Sequence, residues 1–439
     1  MNRGEKMIRI IDNQDYKANE LIKELLKRSQ LDYKDIQKTV EEIVKDVQIR
    51  KDAALLEYTQ KFDRVCLTSQ SLKVSEEEMN LAYKKLNSEL VETLEKAADR
   101  IRQFHEKQKR NSWISPDEDG NILGQIVRPM ESAGVYVPGG KAAYPSSVLM
   151  NVIPAKVAGV KKIVMVTPPQ KDGTIDPAIL VAAKIAGVTE IYKIGGAQAI
   201  AALAFGTESI PKVDKIVGPG NIYVTLAKRI VFGYVSIDSI AGPSEILVVA
   251  DETANPVFVA ADLLSQAEHD EMASSVLITT SRNLADKVKE ELVRQTELLS
   301  RKAIIEKSLK DYGAIIIVNN IEEAIEITNQ IAPEHLELCT KESMTLLPKI
   351  KNAGAIFLGH YSPEPLGDYM AGPNHVLPTS GTARFFSPLN VDDFTKKSSV
   401  IYFSEDSLKE LSDDIIRFAE AEEFTAHANS VRVRFQNNN

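Results

Sequence analysis

The sequence predicts an α/β protein with two doubly wound, Rossmann-like units, a helical N-terminal region and a helical C-terminal extension. After Trp113, short continuous Val/Ile runs alternate with helical stretches, which is the pattern of parallel strands covered on both faces. This alternation occurs in two series, roughly 129–240 and 244–375, and therefore predicts two sheets. The first hundred or so residues show helical periodicity instead.

The N-terminal region is predicted to form two long helices. From Tyr33 to about Asp63, apolar residues recur at helical intervals, with Lys and Glu between them. A second helix is predicted to begin at Ser75, because Ser followed three residues later by Glu78 fits a capping box, and to run toward Lys109.

The α/β region contains ten candidate strands and several helices between them. The candidate strands are Ile126–Arg128, Gly134–Val137, Lys162–Val166, Glu190–Ile194, Lys215–Val217, Glu245–Val249, Ser275–Thr279, Ala314–Val318, Ala355–Leu358 and Val400–Phe403. The intervening helices include Pro177–Ala186, Ala197–Ala204, Ile222–Val231 and Pro256–Glu268. We divide the chain into an N-terminal helical region (1–113), a first α/β domain (114–243), a second α/β domain with the metal and catalytic motifs (244–388) and a C-terminal extension (389–439). The extension is helical and acidic over about 405–430 and ends in a polar tail, 436–439.

Composition excludes several classes of protein. The 439 residues are 44% hydrophobic and 26% charged, as in an average globular protein, and the net charge is −9 with scattered basic residues. A nucleic-acid binder would carry a basic footprint, so we expect no nucleic-acid partner. Two distant cysteines, Cys66 and Cys339, suit a reducing compartment. Because the sequence shows neither a secretion signal nor a run of about 18 apolar residues, we expect a cytoplasmic protein with no membrane partner.

Five of the six histidines follow position 265, and the first of them stands in a candidate metal motif. Asn255 and Pro256 fit an N-cap and a first helical residue, so the segment that follows is predicted to be helical. Gln266 and His269 would then share a face, and an amide oxygen with an imidazole nitrogen suits Zn²⁺. The alternative is an ordinary polar helix surface.

Two further segments offer ligands far downstream. Asp368 lies in a Gly/Pro-rich loop that ends at His375, and Glu422 precedes His427 near the C-terminus. Taken individually, Asp368 also fits an acidic turn residue, and His427 a surface histidine. Spacing alone does not bring these residues together.

Glu334 and His335 form a candidate acid–base pair. The helix predicted over Ile321–Ile331 should end at Pro333, which places the pair in a turn before the apolar run Leu336–Cys339. An adjacent carboxyl group and imidazole can transfer protons if burial raises the pKa of the carboxyl group. The alternative is an exposed turn.

Three glycine-containing segments suggest nucleotide binding, although no GxGxxG motif occurs. They are Gly134–Gly140, Gly195–Ala199 and Gly218–Asn221. The last two follow candidate strands and precede helices, so their backbone N–H groups could hold a phosphate. Close packing of glycine against a neighbour is the alternative.

In this order the motifs resemble the histidinol dehydrogenase family over roughly residues 30–435. The matching segments are 128–140, 195–203, 218–221, 238–245 (DSIAGPSE), 266–269, 333–336, 367–369, 374–379 and 422–427. The resemblance implies an NAD-dependent, zinc-requiring homodimer with shared active sites, which oxidises L-histidinol through the aldehyde to L-histidine with two NAD⁺. The N-terminal helices would pack with the second α/β unit, and the C-terminal helices would reach over the partner.

The resemblance also implies roles for individual residues. The zinc ligands would be Gln266, His269, Asp368 and, from the neighbouring subunit, His427. The substrate would meet these four residues together with Ser244, His335 and Glu422, with His375 nearby, and the cofactor contacts would be Tyr136, Gln198 and Asn221. We expect His335 to be the base for both oxidations and Glu334 the base that activates water.

Two alternative functions fit several of the same motifs, and at one place the chain departs from the sequence pattern of the family. A related zinc/NAD dehydrogenase of another small polar alcohol, or a zinc hydrolase that uses Glu334 as base, would share several of these motifs. Where the family commonly has Gly-Leu after the position of Glu422, this chain has Glu423 and Phe424. We expect this change to affect the local helix geometry and to add a charge, while the spacing between Glu422 and His427 is kept.

Overall fold

The computed structural model describes residues 7–12, 20, 23, 34–139, 143–240 and 242–436. Tyr33, Gly140 and Ala241 of the segments quoted above, and residues 437–439 of the polar tail, lie outside them. The chain divides into two compact units. The first comprises the chain up to Gln108 together with Met130–Phe394, and the second comprises Lys109–Pro129 together with the chain from Thr395. The predicted α/β class is confirmed.

The strands are, in chain order, β1 (Arg9–Asp12), β2 (Trp113–Pro116), β3 (Ile122–Pro129), β4 (Ser132–Tyr136), β5 (Lys162–Thr167), β6 (Glu190–Lys193), β7 (Lys215–Val217), β8 (Ser236–Ile237), β9 (Glu245–Ala250), β10 (Ser274–Thr279), β11 (Ala314–Ile317), β12 (His335–Cys339), β13 (Ala355–Leu358) and β14 (Thr395–Tyr402). The α-helices are Lys34–Arg50, Asp52–Asp63, Ser69–Leu72, Glu76–Lys85, Ser88–Glu106, Pro145–Ala158, Pro177–Ala186, Gly196–Phe205, Ile222–Val231, Pro256–Ala267, Arg282–Thr296, Lys302–Tyr312, Ile321–Ile331, Ser343–Leu346, Glu364–Leu366, Glu405–Ala421 and Thr425–Arg432. Short 3₁₀ turns cover Leu347–Lys349, Thr382–Arg384 and Val391–Phe394, and a π-turn covers Gly367–Ala371.

The first sheet of unit 1 is parallel and has the order β6-β5-β4-β7-β8. Its central strands are buried on both faces, which explains their continuous Val/Ile runs. Helices Pro145–Ala158 and Pro177–Ala186 contribute to the core on one face. Gly196–Phe205 and Ile222–Val231 contribute to the core on the other face.

The second sheet is also parallel, with the order β1-β11-β10-β9-β12-β13. Its edge strand β1 comes from the N-terminal region, for which we predicted only helix. Four residues are too few to show the alternating hydrophobic pattern of a strand. The segment β1 is a strand because it pairs with β11. Strand β12 lies between β9 and β13, and His335 pairs with Ile246 and Ala355.

The N-terminal helices cover the first sheet, whereas the resemblance implied packing with the second unit. Lys34–Arg50 buries its apolar stripe against Gly196–Phe205 and Ile222–Val231. Ser88–Glu106 packs mainly on Pro145–Ala158. The reason is that the outer faces of the first sheet's helices are apolar and need a second layer. Strand β1 is the part of this region that joins the second sheet.

Both predicted N-terminal helices are broken in two. Lys51, with φ 55°, separates the first pair, and Asn87 separates the second pair and caps Ser88–Glu106. The capping box is confirmed: the Glu78 amide donates to Ser75 Oγ (3.2 Å), and the Ser75 amide donates to Glu78 Oε2 (2.9 Å). Capping signals were therefore better guides to helix ends than apolar periodicity.

Unit 2 contains an antiparallel sheet of order β14-β3-β2, followed by helices Glu405–Ala421 and Thr425–Arg432. The C-terminal extension, predicted to be helical, thus includes the eight-residue strand β14. Only its end was recognised in the sequence, because the polar run before it lacks apolar alternation. Among the residues that the structure describes, no helix has the length and hydropathy that a bilayer crossing requires.

Candidate active site

Two neighbouring pockets of unit 1 contain most of the predicted site residues. The first is a cleft of about 1040 Å³ at the carboxyl ends of β4, β5 and β7, and it is lined by Tyr136, Gln198 and Asn221. The second, of about 820 Å³, lies at the amino ends of β9 and β12. Pro138 and Ala143 line both pockets. A ligand in the cleft can therefore reach a molecule in the second pocket.

Three predicted cofactor residues, Tyr136, Gln198 and Asn221, line the cleft. Tyr136 Oη accepts from the Gly196 amide at 3.1 Å, and burial raises the pKa of this phenol to about 12, so it stays protonated. Gln198 Oε1 is buried and has no hydrogen-bond partner among the described residues. Asn221 Oδ1 caps the helix Ile222–Val231. A helix N-terminus and an unused amide acceptor fit a dinucleotide with its phosphate and amide groups.

Gly218, which lines the second pocket, is required because it packs against the last residue of β4. Its φ is 117°, and a Cβ atom there would lie 2.0 Å from the Tyr136 carbonyl oxygen. The Gly218 amide donates to Asp238 Oδ2 (2.8 Å), and the same carboxylate forms an ion pair with the buried Lys228. This glycine of the predicted nucleotide motif therefore has a packing function as well.

Six of the predicted residues line the second pocket: Ser244, His269, Glu334, His335, Asp368 and His375. They come from the turns before β9 and β12, from the first residue of β12, from the turn that follows helix Pro256–Ala267 and from the segment after β13. Ligands of doubly wound sheets usually bind at carboxyl ends of strands. The first sheet follows this rule, whereas the second presents its amino ends.

His335 is buried, and one hydrogen bond defines its tautomer. Nδ1–H donates to the Glu245 carbonyl oxygen at 3.0 Å, so Nε2 carries a lone pair. Nε2 has no hydrogen-bond partner among the described residues and faces Asp368 Oδ1 at 4.0 Å. Burial lowers the pKa of His335 to about 4, which keeps the ring neutral near pH 7. The nitrogen facing the pocket is therefore a free base.

Glu334 lies beside this imidazole, with Oε2 at 3.7 Å from His335 Nδ1. Burial, reinforced by the negative charge of Glu245, raises the pKa of Glu334 well above its ordinary value. The Glu245 amide donates to Glu334 Oε2 at 2.8 Å and holds the carboxyl group in place. The exposed-turn alternative is wrong, because both residues are buried.

Gln266 and His269 lie close together, although not on one helix face as predicted, because the helix ends before His269. Asn255 caps the helix by accepting from the Val257 amide, and the helix ends at Ala267. His269 follows in a tight turn, in which its amide donates to the Gln266 carbonyl oxygen. The side-chain amide of Gln266 and His269 Nδ1 are 3.5 Å apart. An ordinary polar surface is excluded for Gln266, which is fully buried.

Carboxyl groups complete a donor set that fits a divalent cation. Asp368 stands in the π-turn, 3.9 Å from His375 Nδ1, and the ligand atoms of His335, Glu364 and Asp368 all lie within 4.8 Å of one another. Burial raises the pKa of Asp368 to about 6, and burial with the charge of Asp368 raises that of Glu364 to about 8. The two groups can be ionised together in this buried site only with a compensating cation, and mixed N/O donors suit Zn²⁺.

Glu422 and His427 belong to unit 2. Glu422 directly follows helix Glu405–Ala421, and His427 lies on Thr425–Arg432. Their predicted roles toward substrate and zinc, and the contribution of His427 by a partner subunit, stay predictions.

Comparison with known proteins assigns the chain to a family. The family model described as histidinol dehydrogenase matches residues 26–435. The chain belongs to the histidinol dehydrogenase family. It is 62% identical to histidinol dehydrogenase of Caldanaerobacter subterraneus over 93% of this chain and 95% of that protein. It is 58% identical to that of Clostridium acetobutylicum over 98% of this chain and 100% of that protein. The crystal structure of histidinol dehydrogenase from Elizabethkingia anophelis superimposes with a TM-score of 0.92 at 42% identity, covering 98% of each chain.

Two residues near the predicted histidinol dehydrogenase site were not identified from the sequence as site residues. Glu245 contributes its backbone to both Glu334 and His335, and Glu364 contacts Gln266. Glu364 does carry a signal, because it stands between two prolines only four residues before Asp368. Glu245 has none, because its role is performed by its peptide groups.

Proposed function

We propose that the chain catalyses the four-electron oxidation of L-histidinol, through L-histidinal, to L-histidine, the last steps of histidine biosynthesis. The observation that carries this proposal is the free Nε2 of a neutral, buried His335 at a pocket that adjoins the nucleotide cleft. Membership of a family that uses NAD and zinc supports it. For a biosynthetic enzyme of this kind we propose a cytoplasmic location.

His335 is the proposed base in both oxidations. When the carbinol carbon of histidinol loses a hydride, the hydroxyl proton must leave as well, and Nε2 accepts it. The Glu245 carbonyl oxygen holds Nδ1–H and so keeps the lone pair of Nε2 directed into the pocket. The hydrated aldehyde is oxidised in the same way, with the loss of one hydride and one proton. Such a base typically accelerates a reaction about 10²–10⁴-fold.

Glu334 is the proposed base for hydration of the aldehyde between the two oxidations. Its raised pKa makes its carboxylate form a stronger proton acceptor than an ordinary glutamate, so it can take a proton from water that attacks the carbonyl carbon. The Glu245 amide stabilises the ionised form through the bond to Oε2. Glu334 and His335 thus serve different steps.

The other residues bind and orient. Gln266, His269 and Asp368, with His427 of the neighbouring subunit, are the proposed zinc ligands, and Ser244 and Glu422 the proposed further substrate contacts. Bound zinc would hold the imidazole and amino nitrogens of histidinol and so position its carbinol carbon. Tyr136, Gln198 and Asn221 are the proposed residues that hold NAD, which accepts the hydride. This assignment makes the functional enzyme a homodimer with shared sites.

The test is NADH formation from L-histidinol by protein stripped of metal and by the same protein after zinc is restored. We expect two NADH for each histidinol oxidised, with activity only after zinc addition. Absence of NADH from the zinc-restored protein would contradict the proposal, and one NADH for each histidinol would limit it to the alcohol step. Ethanol as an alternative substrate is the control for alcohol specificity.

A further inference from the structure

The buried carboxylate of Glu364 contacts the side chain of Gln266. Glu364 is 1% exposed and Gln266 is fully buried. One terminal atom of the Gln266 amide lies 2.9 and 3.1 Å from the two carboxyl oxygens of Glu364, and the amide hydrogen-bonds to both oxygens when this atom is the nitrogen. In its ionised form, which a cation bound beside it would favour, this carboxyl group accepts hydrogen bonds and donates none, so it selects the nitrogen end of the amide.

This selection determines which Gln266 atom faces His269. With its nitrogen on Glu364, the amide directs Oε1 to the side of His269, 3.5 Å from Nδ1. Two ligand atoms on one tetrahedral zinc ion, each about 2.0–2.1 Å from the metal, lie about 3.4 Å apart. The opposite orientation would present an NH₂ group, which cannot coordinate a cation.

Glu364 is itself held from two sides. Ser265 Oγ donates to Glu364 Oε2 at 3.0 Å, and the Glu364 amide donates to Glu337 Oε1 at 2.8 Å. Glu364 also begins the short helix that leads into the π-turn of Asp368. One residue therefore links the segments that carry two proposed ligands.

We propose that Glu364 is a positioning residue of the metal site, which turns the amide oxygen of Gln266 toward the ion. The inference rests on the proposed function, because it takes Gln266 and His269 as ligands. Outer partners of this kind orient the ligand and exclude the unproductive orientation. The alternative role for Glu364 is direct coordination together with His335 and Asp368, whose ligand atoms are close. The occupation of its carboxylate by donors from Gln266 and Ser265 argues against that role.

The test is the affinity of the metal-free enzyme for Zn²⁺, measured by competition with a chromophoric chelator, together with the absorption spectrum of bound Co²⁺. In Glu364→Gln the new amide accepts or donates with equal ease, so it no longer selects the orientation of Gln266. We expect Zn²⁺ to bind about 10–100-fold more weakly and the Co²⁺ spectrum to change. In Glu364→Asp, which still only accepts, we expect a smaller loss.

A double-mutant cycle separates positioning from coordination. If Glu364 acts through Gln266, then Glu364→Gln should change Zn²⁺ affinity by less than about threefold in a Gln266→Ala background. If the loss of Zn²⁺ affinity in the double variant equals the product of the losses in the two single variants, the inference is overturned and direct coordination by Glu364 is indicated. Ser265→Ala, which leaves the carboxylate in place, is the matched control and should weaken Zn²⁺ binding less than Glu364→Gln.

The same measurements distinguish this inference from the proposed function. If Gln266→Ala weakens Zn²⁺ binding and Glu364→Gln does not, the positioning role is wrong and the ligand set stands. If Gln266→Ala itself leaves Zn²⁺ affinity unchanged, the proposed ligand set is wrong, and the role of Glu364 falls with it. Thermal unfolding of each metal-free variant identifies any variant that has lost its fold. If Glu364→Gln is unfolded, the Zn²⁺ affinity of Glu364→Asp is used to test the positioning role.

Discussion

The surroundings of His335 give its imidazole the state that the proposed role as a base requires. The Glu245 carbonyl oxygen selects the tautomer, and burial keeps the ring neutral. In His335→Asn the side chain retains a donor for that carbonyl group but has no basic nitrogen. We expect kcat for histidinol to fall about 10²–10⁴-fold with zinc content unchanged, measured by NADH formation and metal analysis.

The control for this variant is His360→Asn, because His360 is not among the residues that line the pocket. It should retain wild-type activity. A parallel loss of zinc and activity in His335→Asn would indicate that His335 supports the metal site rather than transferring protons.

Glu334→Gln tests the proposal that Glu334 serves the hydration step and His335 the two oxidations. The amide retains the size of the side chain but cannot accept a proton from water, so we expect oxidation of histidinal to fall more than oxidation of histidinol, by about 10²-fold or more. The two half-reactions are measured separately, with histidinal or histidinol as the added substrate. An equal loss in both would contradict the assignment of Glu334 to the hydration step.

At the scale of elements, the accuracy of the sequence predictions depended on how local the signal was. Helices Pro177–Ala186 and Ile222–Val231 have the predicted bounds, because caps and periodicity lie within them. Strands β1, β2 and β8 were missed, because two to four residues carry no period and are defined by the strand beside them. The five-residue β12 was recognised only as an apolar run after a turn. The break at Lys51 also has no local signal.

The turn after β7 makes a sharp prediction for Gly218→Ala. A methyl group there would collide with the Tyr136 carbonyl oxygen, and the positive φ adds strain. We expect a loss of about 2–5 kcal/mol in the free energy of unfolding and weaker NAD⁺ binding. Denaturant titration and NAD⁺ titration are the measurements.

Gly233→Ala is the matched control for Gly218→Ala. Gly233 also has a positive φ, 101°, but a Cβ atom there would meet nothing within 4 Å. The strain alone should cost about 1–2 kcal/mol and leave NAD⁺ binding unchanged. Equal effects of the two substitutions would show that backbone conformation, and not the contact with Tyr136, is what matters.

Glu423 occupies a position where the family commonly has glycine. Its φ is 61°, and the Phe424 amide donates to the Ala419 carbonyl oxygen at 2.8 Å, which closes helix Glu405–Ala421. Since glycine adopts this conformation without strain, Glu423→Gly should stabilise the protein by about 0.5–1 kcal/mol in denaturant unfolding. Glu423→Ala removes the charge and keeps the strain. A stabilisation by Ala equal to that by Gly would identify the charge as the cause.

At the scale of the whole molecule, the candidate site was predictable only through the resemblance. Periodicity put Gln266 near His269. Pro333 put Glu334 and His335 in a turn, which is right for Glu334 but wrong for His335, the first residue of β12. Nothing local relates these residues to Asp368, which follows the Glu334/His335 pair by more than thirty positions and Gln266 by about a hundred, because their proximity results from the order of strands in the second sheet. The sequence also did not predict that the second pocket lies at the amino ends of the strands in that sheet.

The proposed sharing of sites between subunits predicts complementation. His427→Ala and His269→Ala should each be inactive as pure proteins. After unfolding and refolding together, a mixed dimer has one site with both histidines, so about a quarter of wild-type NADH formation should return. Mixing each variant with itself is the control. If mixing restores no activity, His427 acts within its own chain or has no role in the site.

The position of His335 as the first residue of β12 makes the length of the preceding turn critical. Side chains of successive strand residues point to opposite faces, and His335 is paired in register with Ile246 and Ala355. All five residues of β12 are buried, so a one-residue change in its register would turn His335 and Glu337 to the face on which Leu336 and Leu338 pack. Such a frame change would remove the proposed base from the pocket and place polar side chains in an apolar core, so the site and the strand depend on the same register.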